Sequence, residues 1–218
     1  MAECEVIHLY HDSPEWLAFR KTGIGGSDAA AVLGVSPFKS NVDVWEEKVG
    51  IREPEDISNK PSVKYGKEAE ELHLALFKLD YPEYEVTSHK DIVYKLDFMF
   101  ASLDGELVDK RTKEEGIYEG KTTEIHSKSS YEKWNARIPD YYYAQILHYL
   151  IVTNKKFVKL RAQIKQTGQN GEVECIIKHY HFSRKECLSD MRYLYLEEKK
   201  FWEYVKSKTK PPLKLPGI

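Results

Sequence analysis

Cysteine is scarce in this sequence of 218 residues, which contains only Cys4, Cys175 and Cys187. Their number is odd, they lie far apart, and no C-x-x-C pair occurs. The pattern therefore excludes a disulfide framework and argues against a zinc or iron–sulfur site built on cysteine. We expect three free thiols in a reducing cytosol.

Long apolar runs are missing as well. No stretch approaches the ~20 apolar residues that a membrane-spanning helix needs. The N-terminal segment MAECEVIHLYHD lacks the basic and apolar regions of a secretion signal. We therefore expect a cytoplasmic protein without a membrane partner.

The sequence also lacks a positive charge excess, since 33 Lys and Arg face 35 Asp and Glu, for a net charge of −2. Many nucleic-acid-binding proteins carry a clear positive excess, so the total does not point to one. A metal-dependent nuclease, however, needs acidic ligands beside basic residues, and near-neutrality does not exclude it. Segments 121–137 and 155–165 are locally rich in base.

What is present is ordinary for a globular protein, with 41% hydrophobic and 12% aromatic residues. We expect one domain over 1–218, with a helical part at 13–50, a core at about 62–182 and a closing helix at 183–210. The predicted order is three short helices, one longer helix, several strands, a helix, two strands and a helix. This order predicts an α/β fold of the α+β-like kind, in which helices flank a central mixed sheet.

The stretch Ser102–Thr122 predicts a β-hairpin that gathers charged residues. Asp104 lies at the end of one extended run, a polar turn follows at Lys110–Glu115, and a strand returns through Glu119 and Lys121. Because side chains alternate along a strand, Glu119 and Lys121 share a face. Two carboxylates can hold Mg²⁺ or Mn²⁺, and a lysine can orient a water-derived nucleophile. A solvated strand with an ion pair is the alternative, because 31% of the residues are charged.

Two predicted helices carry further polar candidates. On the first, over Val63–Leu79, Glu70 lies on the same stripe as Leu74 and Phe77. A carboxylate turned toward a core usually has a partner or a metal, and the alternative is a border glutamate that reaches water. On the second, from Asp140 to Thr153, Gln145, His148 and Tyr149 share a face. We interpret His148 as a satisfied interior histidine.

The closing helix is predicted to begin at Ser183 or Arg184 and to end near Lys208. Its spacing predicts a core stripe of Leu188, Met191, Tyr195, Trp202 and Val205.

The glycine-rich loop Gly23–Ser27 leads into a predicted helix over Asp28–Leu33. Free backbone N–H groups and the helix dipole make such a start suitable for an anion. Ser27 could bind a phosphate there, and Arg20 could add a fork-shaped donor. A plain turn with Ser27 as helix N-cap is the alternative.

Five sequence blocks, in this order, resemble the YqaJ-type viral recombinases, relatives of the phage lambda exonuclease in the PD-(D/E)xK nuclease superfamily. The blocks are Trp16–Arg20 with Gly23–Asp28, Tyr65–Glu70, Ser102–Gly105, Glu119–Lys121 and Tyr143–Gln145. Leu103 stands where the superfamily motif has proline, which does no chemistry. The last third of the chain matches no motif of the family.

The resemblance implies a restriction-endonuclease-like fold and assigns roles to residues. The implied metal ligands are Glu70, Asp104, Glu119 and the backbone carbonyl of Gly120. The implied catalytic residues are Asp104, Glu119, Lys121 and Gln145, the last near the nucleophilic water. The implied ligands of a terminal 5′-phosphate are Arg20 and Ser27. Basic side chains that could follow the DNA backbone are Lys128, Lys133 and Arg137.

The resemblance further implies a Mg²⁺-dependent 5′–3′ exonuclease on linear double-stranded DNA, with Mn²⁺ as a possible substitute. Such an enzyme would act in phage-type recombination and end resection, in the host cytoplasm if a phage encodes it. A toroidal trimer and a single-strand annealing protein as partner are implied too. Two alternatives stay open: an endonuclease of the same superfamily, and a non-catalytic DNA-binding or assembly protein.

Overall fold

The computed structural model of the protein describes residues 3–125, 127–167 and 170–215. Runs of helices and runs of strands follow one another along these residues. The helices are α1 (Pro14–Arg20), α2 (Gly26–Leu33), α3 (Asn41–Val49), α4 (Pro61–Asp80), α5 (Lys128–Glu132), α6 (Asp140–Thr153) and α7 (Leu188–Lys206). The strands are β1 (Glu5–His8), β2 (Ile24–Gly25), β3 (Tyr84–Thr87), β4 (Ile92–Leu96), β5 (Met99–Ala101), β6 (Gly105–Asp109), β7 (Glu115–Ile125), β8 (Phe157–Thr167) and β9 (Val173–Ser183).

The strands form two sheets. The larger sheet has the order β3-β6-β7-β8-β9, in which only β7 and β8 run parallel. The smaller sheet has the order β1-β4-β5-β2, with β2 and β5 parallel. Helices flank the mixed five-stranded sheet, which confirms the predicted fold class. The separate smaller sheet is a feature that the sequence pattern does not predict.

Helix α6 is the centre of the core because it lies in the crossover that joins the parallel strands β7 and β8. A parallel pair needs such a long connection, and its helix must cover the sheet. α6 packs against α2, α7 and strands of both sheets. It is accordingly apolar on most of its surface, and its fully buried side chains include Ile146, Leu147, Leu150 and Val152.

The predicted hairpin is present as β6 and β7, with Gly105 opposite Tyr118. Its turn is closed by Asp109, whose Oδ1 accepts from the backbone N–H groups of Arg111 and Thr112. Asp104 stands directly before β6. β7 continues beyond the hairpin to Ile125 and pairs with β8 over ten residues. The second arm is therefore a central strand of the larger sheet, and its middle residues lie far from any edge.

Two predicted helix faces need correction. Leu188 is 55% exposed, so its place in the α7 core stripe is wrong, and the helix begins there and not at Ser183 or Arg184. The stripe that is buried consists of Met191, Leu194, Glu198, Phe201 and Val205. The buried face of α4 is centred on Ala69, His73 and Phe77. Glu70 and Leu74 lie at the margin of that face, half-buried.

The three cysteines are free thiols, as predicted, with Cys187 alone buried. No helix among the described residues is long and apolar enough to span a bilayer. The sequence also predicts a turn over 166–171 between the last two strands, and its residues 168 and 169 lie outside the described residues.

Candidate active site

Asp104 is held at the open end of the hairpin by the opposite strand. Its Oδ2 accepts a hydrogen bond of 2.9 Å from the backbone N–H of Gly120. Gly120 has little room for a side chain, since a Cβ there would lie 3.3 Å from the Tyr118 hydroxyl and 3.7 Å from Asp104 Oδ2. The Gly120 N–H thus fixes the position of the Asp104 carboxylate.

Glu119 and Lys121 lie side by side on one face of β7, as the alternation predicts. Glu119 is 1% exposed, and its Oε1 is 2.6 Å from Lys121 Nζ. Neither carboxylate oxygen makes a well-oriented hydrogen bond within the described residues. Burial, together with the charge of Asp104, raises the pKa of Glu119 to about 8, although Lys121 opposes the shift. Two acids, Asp104 and Glu119, thus surround one ammonium, so the group can accept a further cation.

The other two charges respond to the same surroundings. Burial raises the pKa of Asp104, while Lys121 and the Gly120 N–H act in the opposite direction. Burial alone would lower the pKa of Lys121, but Glu119 and Asp104 outweigh it and raise that pKa. Lys121 therefore stays protonated and can stabilise negative charge beside the two acids.

Glu70 faces this group from helix α4. Glu70 and Asp104 line one open cleft of about 390 Å³. Burial and the charge of Asp104 raise the pKa of Glu70. Its neighbour Glu71 lines the same cleft but is exposed and forms an ion pair with Lys90. Glu70 is therefore the half-buried carboxylate of the two, and it is the one whose pKa responds to Asp104.

The three acids suit Mg²⁺ by chemistry, because hard cations prefer carboxylate oxygens. Asp104 is half-buried and Glu119 is buried, and the Glu119 carboxylate contacts the Lys121 ammonium at 2.6 Å. Within the described ranges, however, no three His, Cys, Asp or Glu side chains converge closely enough to form a complete metal site. The residues fit a cation held by the Asp104–Glu119 pair, with Glu70 across the cleft.

Helix α6 places further side chains beside Glu119 and Lys121. Gln145 Nε2 donates a hydrogen bond of 2.7 Å to the hydroxyl of Tyr149. Burial and the nearby Glu119 raise the pKa of Tyr149. The ring of Tyr142 lies 5.1 Å from Lys121 Nζ, within the range of a cation–π contact. Gln145 therefore stands near the acids, held through a tyrosine.

His148 is an interior residue, as predicted. Its Nδ1 is 2.9 Å from Glu198 Oε1 on α7, and its Nε2 is 2.9 Å from the carbonyl oxygen of Phe100 on β5. Both His148 and Glu198 are fully buried. Because a carbonyl only accepts, Nε2 carries a hydrogen. The pair ties α6, α7 and β5 together and does not face the cleft lined by Glu70 and Asp104.

Arg20 and Ser27 lie together at the start of α2. The guanidinium of Arg20 donates to Ser27 Oγ at 3.2 Å and lies over the ring of Trp16, 4.8 Å from its centroid. The alternative of Ser27 as N-cap is wrong, because Gly25 is the cap residue and Asp28 Oδ2 accepts from its N–H at 3.2 Å. The Ser27 hydroxyl is exposed.

A buried cluster of charged side chains lies next to the Arg20–Ser27 pair. Asp28 is 1% exposed, and its carboxylate lies 2.8 Å from Lys48 Nζ and 3.0 Å from Lys39 Nζ. Burial would raise the pKa of Asp28, but Lys48, Lys39 and Arg20 together hold it well below its usual range. Lys48 also donates to the carbonyl oxygen of Arg20 at 2.6 Å. The cluster fixes the backbone on both sides of the glycine turn.

One contact joins the Arg20–Ser27 pair to the acids. A Cβ on Gly26 would lie 2.3 Å from Cε1 of Tyr149, so the turn packs directly on that ring. Because Gln145 also hydrogen-bonds to Tyr149, this one tyrosine contacts both the glycine turn beside Ser27 and the Gln145 side chain.

The predicted backbone-binding cations are placed unevenly. Lys133 and Arg137 are exposed and line a second cleft beside the start of α6. Lys128 lies in α5, and its side chain is outside what the structure describes.

Several supporting contacts are not predicted from the sequence. Tyr149 is predicted on the same helix face as Gln145, but its hydrogen bond to Gln145 is not predicted. For Asp28 the available signal was its position three residues after the cap, where an acidic side chain often closes a capping box. The contact of Gly26 with Tyr149 and the ion pair of Lys48 with Asp28 have no local signal.

Comparisons with known proteins show the family and the fold of the chain. Residues 15–156 match the model of the YqaJ-like viral recombinase domain. The chain is 30% identical over 153 residues to the uncharacterized protein YqaJ of Bacillus subtilis, a match that covers 66% of this chain and 44% of that protein. The chain thus spans less than half the length of this curated relative.

Two solved structures have a similar fold. The alkaline exonuclease LHK-Exo of Laribacter hongkongensis aligns with a TM-score of 0.62 and 15% identity, over 90% of this chain and 94% of that one. A phage-related exonuclease of Haemophilus somnus 129PT aligns with a TM-score of 0.58 and 12% identity, over 88% and 99%. The fold is therefore that of alkaline exonucleases, and by the domain match over most of its length the chain belongs to the YqaJ-like viral recombinase family.

Proposed function

We propose that the protein is a Mg²⁺-dependent exonuclease that degrades linear double-stranded DNA from 5′-phosphorylated ends. The observation that carries the proposal is the buried carboxylate of Glu119, which forms an ion pair of 2.6 Å with Lys121 and whose pKa is raised by burial and by the charge of Asp104. Family membership and the alkaline-exonuclease fold support it. A single-strand annealing partner and a trimeric assembly are part of the same proposal, and they rest on the resemblance to the family alone.

Asp104, Glu119 and the Gly120 carbonyl would hold the cation, with Glu70 as a further ligand from α4. A bound Mg²⁺ would supply Lewis-acid stabilisation of the charge that develops on the phosphate and the leaving oxygen, and a second ion would share this task in a two-metal mechanism. Mn²⁺ has similar ligand preferences and would substitute.

Lys121 and Gln145 act on the nucleophile in this proposal. The Lys121 ammonium stays protonated beside the acids, so it can orient a water molecule and stabilise negative charge. Gln145 is fixed through Tyr149, and its amide can accept from or donate to the same water. Burial excludes bulk water from Glu119, which strengthens these interactions.

Arg20 and Ser27 would bind the terminal 5′-phosphate. The guanidinium offers paired donors, Ser27 offers a hydroxyl, and the first turn of α2 offers free N–H groups. Because Gly26 packs on Tyr149, a phosphate held here would stand at a fixed distance from the acids. A strand would then be cut at a set number of nucleotides from its end.

The proposal is tested by digestion of matched duplex substrates in Mg²⁺. Linear DNA with 5′-phosphate ends should be degraded much faster than the same DNA with 5′-hydroxyl ends, and covalently closed circles should be spared. Rapid cutting of closed circles would identify an endonuclease. Binding of linear DNA without any cleavage in Mg²⁺ or Mn²⁺ would identify a non-catalytic protein.

A further inference from the structure

An aromatic side chain stands exposed on the loop between α2 and α3. Phe38 is 80% exposed, so its ring contributes little to the core of this chain. The loop that displays it is well fixed: Ser36 Oγ accepts from the N–H groups of Phe38 at 3.2 Å and Lys39 at 3.4 Å. Lys39 is in turn anchored by Asp28 and Glu47. The ring is therefore held outward by a braced loop.

A second aromatic ring, that of Tyr141, lies beside Phe38. The centroids of the two rings are 5.7 Å apart, and their planes are at 80°. The ring centroids of Tyr141 and Tyr142 are 4.4 Å apart, and Lys121 Nζ lies over the ring of Tyr142. Three successive ring contacts thus lead from the exposed Phe38 to the catalytic lysine of the proposed mechanism.

Two basic side chains lie near the loop that carries Phe38. Lys133 and Arg137 are exposed and line, with Tyr141, a cleft of about 220 Å³ below the loop that carries Phe38. One carboxylate, Asp140, lines the cleft as well. An exposed aromatic face beside two cations is the combination with which proteins bind single-stranded nucleic acid. The bases stack on the ring, and the cations attract the phosphates.

We propose that Phe38, supported by Tyr141, is a stacking platform for an unpaired nucleobase, with Lys133 and Arg137 on the adjoining phosphates. The platform rests on the proposed nuclease function only for its biological use, since it places an unpaired base next to the cleavage centre. Stacking is sequence-tolerant because every base has a π-face, so the platform accepts any base.

The test is equilibrium binding in the absence of divalent metal, measured by anisotropy with a labelled single-stranded oligonucleotide and with a blunt duplex. Phe38→Ala should weaken binding of the single strand by roughly five- to a hundredfold and change duplex binding little. Phe38→Trp should retain binding of the single strand. Phe38→Leu keeps an apolar side chain but has no π-face, so it should bind the single strand as weakly as Phe38→Ala. Tyr193→Ala, which removes an exposed aromatic residue from α7, is the matched control and should change nothing.

A fluorescent aminopurine base in the single strand reports stacking directly. Its emission should be quenched by the wild-type protein and not by Phe38→Ala. Equal losses for single strand and duplex, full binding by Phe38→Leu, or unchanged binding by Phe38→Ala would overturn the platform. Because nothing is cleaved in these experiments, the platform can fail while the nuclease proposal stands, and the reverse.

Discussion

Gly26 lies directly against the ring of Tyr149, so that a Cβ on Gly26 would stand 2.3 Å from Tyr149 Cε1. This contact sets the position of the α2 start relative to the tyrosine that hydrogen-bonds to Gln145. A methyl group there has to displace backbone or a buried ring, because Tyr149 is 6% exposed.

Gly26→Ala should therefore destabilise the protein by about 1–3 kcal/mol, the usual cost of overpacking. Gly66→Ala is the matched control. Its Cβ would meet only Thr122 Oγ1, at 3.4 Å, and Gly66 lies inside helix α4. Alanine should stabilise that helix by about 0.5–1 kcal/mol. Thermal unfolding measures the stability of both variants. A Gly26→Ala variant as stable as the wild type would show that the start of α2 is not tightly packed against Tyr149.

Glu70→Gln should raise the Mg²⁺ concentration needed for half-maximal cleavage, because it removes one charge from the proposed cation site. Glu71→Gln makes the same chemical change one residue later, on an exposed side chain paired with Lys90. It should change the Mg²⁺ requirement little. The nuclease rate is measured as Mg²⁺ is titrated for both variants. Equal shifts in the Mg²⁺ requirement would show that Glu70 is not a ligand of the cation.

Arg20→Ala should abolish most of the preference for 5′-phosphate ends, and Ser27→Ala should reduce it less. Charge-assisted hydrogen bonds contribute roughly 1.5–3 kcal/mol and neutral ones about 1. Lys21→Ala is the control, since it removes the neighbouring cation, which pairs with Glu53 at the surface. Rates on phosphorylated and dephosphorylated duplexes measure the preference. If Lys21→Ala matched Arg20→Ala, general charge and not a phosphate site would be responsible.

Much of the fold could be predicted because its signals are local. Ser13 and Ser40 as caps, Gly34 and Gly50 as stops, and strict alternation along β7 set the elements. The same alternation placed Glu119 and Lys121 on one face, and the hairpin brought Asp104 to Gly120.

What could not be predicted depends on contacts between distant segments. The buried stripe of α7 does not follow from apolar spacing because it includes Glu198, a charged residue that is fully buried beside its partner His148, fifty residues earlier. Serine is a common helix cap, which favours Ser27, yet Gly25 is the cap residue and Asp28 accepts a hydrogen bond from its N–H. Neither outcome follows from the spacing of apolar residues.

The raised pKa of Glu119 predicts a pH-dependent stability of the metal-free protein. Below pH about 4.5 the carboxyl is protonated in both the folded and the unfolded chain. As the pH rises toward 8, the unfolded chain loses this proton while the folded protein keeps it, so the free energy of unfolding falls. Above pH 8 Glu119 contributes no further change.

Glu119→Gln should flatten this decline in chemical denaturation at pH 5 to 8, by on the order of a few kcal/mol. The decline should not vanish, because Asp104 and Glu70 have raised pKa values too. Glu68→Gln, an exposed change on α4, should leave the profile as in the wild type. An unchanged profile in Glu119→Gln would mean that this carboxyl is ionised in the folded protein at neutral pH.

The most direct test is the rate at which nucleotides are released from linear 5′-phosphorylated duplex as Mg²⁺ is titrated from excess EDTA. Lys121→Met removes the ammonium next to Glu119, and Lys159→Met makes the same change on the neighbouring strand β8, on the opposite face of the sheet. We predict no release in EDTA and a saturable rate in Mg²⁺. Lys121→Met should lower that rate by about 10²–10³-fold while DNA binding persists, and Lys159→Met should stay near wild type. Full digestion in excess EDTA, or a wild-type rate for Lys121→Met, would contradict a metal-dependent site at Asp104, Glu119 and Lys121.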